Sequence, residues 1–258
     1  MDLSIILINY NSYPYTEKCL ESIEQSVVTG RVEIIVVDNA SEKDPRADIE
    51  KKFPSVKYIR SEVNVGFAKG NNLGILHATG TCILLLNNDT LLQVNTLQVT
   101  YDALLNAENI GALTCQLQYP DGKLQHNCQS FPSNRKKNIE KFRLHKLLSR
   151  KKRGAYMQGF YWDYTKSGYP EWIWGTYFMF KKEILQKLPG HQLNDEYFMY
   201  IEDMQWCWDI RKAGYTIFYT PDTFVTHFGG GSGGAKAQLM EDNLRLFIKK
   251  NYGPGYRK

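Results

Sequence analysis

Three acidic positions sit where predicted elements begin or end, and their side chains could do chemistry on a phosphate or a sugar. Asp38 follows the apolar run Val32-Glu33-Ile34-Ile35-Val36-Val37, Asp89 closes Asn87-Asn88-Asp89 after Cys82 to Leu86, and Glu202-Asp203 opens a helical pattern. A lone aspartate at a strand end is usually a cap or turn former. Three of them allow a division of labour. One carboxylate can accept hydrogen bonds from a ribose or base. A second can share a divalent ion with a diphosphate, and a third can act as a general base. The stretch Asn64-Val65-Gly66-Phe67-Ala68-Lys69-Gly70-Asn71-Asn72 adds glycines that let backbone approach a ligand, ahead of a helix whose free N–H groups suit an anion.

The elements that must position these groups follow from the apolar pattern. Leu3 to Asn9, Val32 to Val37, Val56 to Arg60 and Thr81 to Leu86 predict buried strands. Helices are predicted from Pro14, over Pro45 to Phe53, and from the Asn64–Asn72 loop to about Ala78. Strand and helix alternate, which implies a parallel sheet with right-handed crossovers. Polar residues at strand carboxyl ends then lie where open α/β sheets bind ligands. Leu91 to Ala107 predicts a helix, Ile110 to Gln118 a strand, Trp172 to Phe180 a strand, and Lys182 to Leu188 a short helix. A helix through Trp206, Ile210 and Ala213 ends at Gly214. Tyr215 to Tyr219 predicts a strand and Lys236 to Asn251 a helix, with the glycine run 229 to 234 between them as a flexible active-site loop.

At 258 residues and 43% hydrophobic content the chain can bury a real core. The start Met1-Asp2-Leu3-Ser4 lacks the basic region of a signal peptide, and no apolar run reaches membrane-helix length. Five scattered cysteines, none spaced as CxxC, fit reduced thiols, so the expectation is a cytoplasmic protein. The net charge of +5 is local: residues 135–153 hold ten of the 32 Lys/Arg and one of the 27 Asp/Glu. That segment suggests an anionic partner, a membrane surface or nucleic acid, against the plainer reading of a solvated face. Leu144, Leu147 and Leu148 share a helical stripe that Ile139 and Phe142 leave.

The order of Ser4 to Asn11, Val36-Val37-Asp38-Asn39-Ala40-Ser41, Asn64 to Asn72, Leu86-Asn87-Asn88-Asp89, Trp174-Gly175 and Tyr200-Ile201-Glu202-Asp203 with Arg211 and Gly214 resembles the family 2 glycosyltransferases. Within them it looks most like rhamnosyltransferase-type enzymes of bacterial surface polysaccharide synthesis. The resemblance implies a GT-A fold, an α/β single domain with a mostly parallel central sheet flanked by helices. It divides the chain into a nucleotide-sugar-binding half over 1–118, a basic and aromatic insertion over 119–171, and an acceptor-binding half over 172–258. It implies inverting transfer from a dTDP- or UDP-sugar to a saccharide acceptor, lipid-linked, by a cytoplasmic enzyme resting on the inner membrane, with no nucleic-acid partner. Carried over by position, Asn9, Asn11, Asp38, Asn64, Gly66, Lys69, Asn72 and Asn88 contact the nucleotide. Asp89, His227 and Asn87 hold Mg²⁺ or Mn²⁺. Asp203 is the base with Glu202 beside it, and Trp174, Gly175 and Arg211 line the sugar or acceptor pocket.

Two positions depart from the family pattern. Asn87 stands where the metal-binding DXD motif has its first acid, bringing an oxygen donor without charge, and Gln205 stands where a further acid often follows Glu202-Asp203. Two other readings compete: a sugar nucleotidyltransferase, though Asn9-Tyr10-Asn11-Ser12 lacks the glycine-rich basic loop such enzymes carry, and a non-catalytic carbohydrate- or nucleotide-binding module.

Overall fold

The computed structural model describes residues 2–229 and 234–252. The expected loop at 229–234 falls largely outside them. The opening strand β1 (Leu3–Asn9) leads into helix α1 (Tyr13–Glu24), with Pro14 in its first turn, where no N–H is needed. Strand β2 (Val32–Asp38), helix α2 (Arg46–Lys52), strand β3 (Lys57–Arg60), helix α3 (Phe67–His77) and strand β4 (Cys82–Asn87) complete a regular alternation. Strand β5 (Thr90–Leu92), helix α4 (Thr96–Leu105) and strand β6 (Ile110–Gln118) follow. Residues 119–171 hold strands β7 (Leu124–Gln125) and β8 (Cys128–Gln129) and helices α5 (Asn134–Lys141) and α6 (Arg150–Met157). Strands β9 (Trp172–Ile173) and β10 (Tyr177–Lys181), helix α7 (Glu202–Lys212), strand β11 (Thr216–His227) and helix α8 (Gly234–Tyr252) end the described chain.

The main sheet runs β3-β2-β1-β4-β10-β6-β11-β5, with β7 on β6, while β8 and β9 form a separate pair. The first four strands are parallel, as is β6 with β11; β10 runs against both of its neighbours. This is the mostly parallel α/β sheet that the sequence implies. Alternation along β1 sends Leu3, Ile5 and Leu7 to the face covered by α1 and α4, and Ile6 to the face covered by α3 and α7. Helix α8 adds Phe247 and Ile248 to a third cluster with Tyr197, Ile201 and Met204.

Several expectations need correction. The chain over Leu91–Ala107 is not one helix: Thr90, Leu91 and Leu92 pair antiparallel with His227, Thr226 and Val225, because backbone partners from the far end of the chain outweigh local helix preference. Trp172–Phe180 is not one strand, since Trp174-Gly175-Thr176 leaves the ladder and Gly175 turns its N–H toward α7. Helix α3 starts at Phe67, so Lys69 and Asn72 are helical rather than loop residues. Lys182–Lys187 is a 3-10 turn, and β11 runs on to His227.

Helix α3 lies close on the sheet because of its glycines. A Cβ at Gly74 would stand 2.4 Å from Ile6 Cγ2 and 3.3 Å from Val37 Cγ2. Ile6 is fully buried and cannot retreat. The substitution Gly74→Ala is therefore expected to destabilise the fold by about 1–3 kcal/mol, overpacking outweighing the roughly 1 kcal/mol helix-propensity gain. Denaturant unfolding of the two proteins checks this; a more stable variant would contradict the packing described.

Candidate active site

The carboxyl ends of β1, β2 and β4 meet at one end of the sheet, where Asn9 is in register with Asp38 and Ile8 with Asn87. Asp38 is fully buried and all of its acceptor capacity is used. Its Oδ1 accepts from the Ser41 N–H at 3.0 Å and Arg60 Nη1 at 2.6 Å, its Oδ2 from Asn9 Nδ2 at 2.7 Å and Ser41 Oγ at 2.6 Å. Asn9 is equally engaged, its Oδ1 accepting from Thr16 Oγ1 at 2.8 Å. These two residues hold a frame. Asn11, exposed and left-handed at φ 51°, is bound to that frame by its N–H to Ser41 Oγ and by the Glu42 N–H to its Oδ1.

Asn39 quietly organises the next loop. Its Nδ2 donates to Asn64 Oδ1 at 2.8 Å and the Gly66 carbonyl at 3.1 Å, and its Oδ1 accepts from the Val65 N–H. Gly66 has φ +85°, and a Cβ there would lie 2.3 Å from the Phe198 carbonyl oxygen. Only glycine fits. The Phe67 N–H donates to that same oxygen at 2.8 Å, so the first half of the chain touches the loop ahead of α7 at this point. Lys69 is exposed on α3. Asn72 points elsewhere, its Nδ2 donating to the Leu193 carbonyl.

Asn88 ties the turn after β4 to α1, its Nδ2 donating to Ser12 Oγ and Thr16 Oγ1, each at 2.7 Å. Asp89 faces His227, with Oδ1 3.3 Å from Nε2. The β5–β11 pairing that the sequence reading missed is what brings them together, and the Phe228 N–H to the Asp89 carbonyl closes it. Gln125, buried in β7, donates from Nε2 to the His227 carbonyl at 2.8 Å, which points its Oε1 at Nδ1, 2.7 Å away. Nδ1 donates its proton to Gln125 Oε1, which leaves Nε2 facing the Asp89 carboxylate. A divalent cation between the two would be held by the carboxylate on one side and the Nε2 lone pair on the other. The Asn87 side-chain oxygen is buried without a hydrogen-bond partner. A carboxylate, an amide oxygen and an imidazole nitrogen braced by a second residue suit Mg²⁺ or Mn²⁺. Among the described residues no group of three or more His, Cys, Asp or Glu is placed to hold an ion, so other donors must complete such a site.

Glu202 and Asp203 open α7 directly after Tyr200 and Ile201, both left-handed at φ 69° and 71°. For β-branched Ile201 this is a costly conformation, about 1–3 kcal/mol. Helix α8 clamps it: Asn243 Nδ2 donates to the Met199 carbonyl at 2.8 Å and the Tyr200 carbonyl at 3.2 Å. Trp206 Nε1 donates to the Asn194 carbonyl and its ring stacks on Phe67. Asp203 Oδ2 accepts from the Gly175 N–H at 2.9 Å, and Oδ1 from the Met204 N–H at 2.8 Å. Burial raises its pKa to about 6 against those two bonds. Burial, then the neighbouring Asp203 charge, pushes Glu202 well above the usual carboxylate range. Its Oε2 has no hydrogen-bond partner.

Gly175 and Thr176 bridge the two acidic centres, because the Thr176 carbonyl accepts from the Asn87 N–H at 2.9 Å. Trp174 packs on the α1/α4 face. Arg211 does not join them. It sits in the last turn of α7, about 12 Å along the axis from Asp203, lining a cleft with Lys136, Glu171, Trp208 and Tyr252. Sequence reasoning missed Gln125, Asn39 and Asn243; Asn39 and Asn243 are polar side chains in otherwise patterned segments, and Gln125 carries no such signal.

The family model described as "Glycosyl transferase family 2" matches residues 4–189. The N-acetylglucosaminyl-diphospho-decaprenol L-rhamnosyltransferase of Mycobacterium tuberculosis is 23% identical over 90% of this chain and 78% of its own. The low-salt glycan biosynthesis hexosyltransferase Agl10 of Haloferax volcanii is 27% identical over 84% of this chain and 64% of its own. Among solved structures, S. aureus TarS superimposes with TM-score 0.59 at 17% identity and GalNAc-T7, with UDP, GalNAc and Mn²⁺, with TM-score 0.65 at 14%. Each covers 96% of this chain, which spans 40% and 50% of their lengths.

The raised pKa of Asp203 has a consequence for stability. Its carboxyl ionises near 3.8 when unfolded and near 6 when folded. Between those values the unfolded chain has released a proton that the native state retains, so native stability falls as pH rises. Relative to Asp203→Asn, the wild type is expected to lose stability from about pH 4 to about pH 6. Urea unfolding across this range checks it; a difference independent of pH would contradict the burial of this carboxyl.

Proposed function

The chain belongs to the family 2 glycosyltransferases, and from that premise we propose that it transfers rhamnose or a similar hexose, with inversion, from a dTDP- or UDP-sugar to a hydroxyl of a lipid-linked saccharide. The observation that carries this reading is the half-buried Asp203, raised to about 6 and linked through Gly175, Thr176 and Asn87 to the turn that holds Asp89, which faces His227 at the end of β11. A base that is ionised at neutral pH but only weakly stabilised is suited to take a hydroxyl proton.

In this reading Asp203 accepts the acceptor's proton as the hydroxyl oxygen bonds to the anomeric carbon. The bond from that carbon to the diphosphate breaks on the opposite face, which inverts the centre. Gly175 N–H aims the carboxylate, and Glu202, kept neutral beside it, avoids a second negative charge. A divalent cation, Mg²⁺ or Mn²⁺, bound by Asp89 and His227 with the Asn87 oxygen, would neutralise charge gathering on the leaving diphosphate. Asn11, Asn64, Gly66, Lys69 and Asn88 surround the nucleotide, while Asp38 and Asn9 act through the frame they hold.

The relatives support the choice of sugar and acceptor class. The mycobacterial relative is named for moving L-rhamnose onto a diphospho-decaprenol-linked sugar, and the archaeal one for a hexose in glycan synthesis. The fold match to a UDP- and Mn²⁺-bound transferase supports a nucleotide donor and a metal. Family membership sets aside the nucleotidyltransferase reading.

With Mn²⁺ present, a dTDP- or UDP-sugar is expected to raise the melting temperature by mass action and to be consumed when a saccharide acceptor is added. Asp203→Asn is expected to lower kcat by about 100-fold or more while leaving the nucleotide affinity within about threefold. Full activity of Asp203→Asn would overturn the assignment of the base, and pyrophosphate release from a nucleoside triphosphate would overturn the reaction class.

A further inference from the structure

The basic segment is not one amphipathic helix. Ser133 caps α5 and Ser149 caps α6, their hydroxyls accepting from the Lys136 and Lys152 N–H groups. Arg143, left-handed at φ 56°, breaks the chain between them and starts a 3-10 turn, Leu144–Leu147. These pieces pack on one another and on the turn Gly159–Tyr161, where Tyr161 meets His145 with 3.4 Å between its hydroxyl and Nε2. Gly154 permits this closeness, since a Cβ there would lie 2.6 Å from the Tyr161 carbonyl oxygen. The result is a folded knob.

Its outer surface is unusual in two independent ways. Of the ten cations between 135 and 153, Lys136 is ion-paired, to Glu171 at 2.7 Å; among the described residues the other nine have no carboxylate within ion-pair distance. Charge is thus left uncompensated on a chain whose remaining residues are net acidic. The same surface also presents large apolar side chains to solvent: Leu147 is 83% exposed, Phe160 75%, Phe142 64% and Leu144 47%. A solvated face would carry the charges without these side chains, and a nucleic-acid site would need stacking planes at phosphate spacing rather than leucines. Exposed leucine and phenylalanine interspersed along the chain with the exposed cations Lys141, Arg143, Lys146 and Arg150 match the interface of an anionic bilayer, with acyl chains inside and phosphates outside.

We infer that the α5–α6 knob is a membrane-docking surface: Phe142, Leu144, Leu147 and Phe160 enter the headgroup boundary of an anionic leaflet and the surrounding cations bind lipid phosphates. This gives physical form to the lipid-linked acceptor proposed above, but it stands on the knob alone. No helix among the described residues is long and apolar enough to cross a membrane.

The test is co-sedimentation of the full chain with vesicles of phosphatidylcholine, with and without phosphatidylglycerol, at low and high salt. The expected result is binding to the anionic vesicles that weakens with salt. Leu147→Glu and the pair Lys151→Glu/Lys152→Glu, all on exposed positions, should each weaken it at least about tenfold. Unchanged melting temperatures would show that the variants fold, and unchanged nucleotide binding would show that the sugar site is intact. Equal binding to neutral vesicles, no binding to either, variants that bind as the wild type does, or tighter binding to single-stranded RNA than to anionic vesicles would each overturn the inference. Because no step requires turnover, failure here is distinct from failure of the transferase reading.

Discussion

The structure depends on one awkward group, the half-buried Asp203 carboxylate at the start of α7 beside a buried second acid. Desolvation works against its charge, while the Gly175 and Met204 N–H groups and the positive end of the helix work for it. The balance leaves a carboxyl that ionises near 6. Everything that fixes its position is costly: Tyr200 and Ile201 are held left-handed, and Asn243 on α8 and the Trp206 indole secure the loop on either side. Strain held in place by distant packing is what one expects where geometry matters more than stability.

The opposite side of the site obeys a different logic. Around Asp38 every donor and acceptor is paired, and Asn39 repeats the pattern one residue later. Fully satisfied buried networks are rigid. They fix the ends of three parallel strands so that the exposed residues of the following loops stay in place. Contacts that join the two sides include the Phe67 N–H to the Phe198 carbonyl, the Asn87 N–H to the Thr176 carbonyl, and Phe67 stacked on Trp206. At the first of them a Cβ on Gly66 would separate the halves.

The parallel half was legible in the sequence, because β1, β2 and β4 are apolar runs ending at polar turns and their helices begin at proline or glycine signals. The strand β5 was not. Thr90-Leu91-Leu92 reads as the start of a helix, and only its partner more than 130 residues later makes it a strand. Asp89 and His227 could be named from resemblance, but their meeting depends on that hidden pairing, and the brace from Gln125 depends on the two-residue strand β7, which has no periodic signal. Position along a motif also misled: Arg211 follows Asp203 by eight residues and is carried to the far end of the helix. Likewise the charge count located the basic segment, yet its exposed Phe142, Leu144 and Leu147 form a surface only because Arg143 breaks the helix.

Family membership fixes the class of reaction, and the arrangement of Asp203 proposes how this chain performs it. The most direct measurement is kcat/KM against pH with a nucleotide-sugar donor at saturating metal. A base held near 6 predicts an acidic limb centred there, falling about tenfold per pH unit below it. A profile that stays flat down to about pH 5, the range of an ordinary surface carboxylate, would contradict Asp203 as the base.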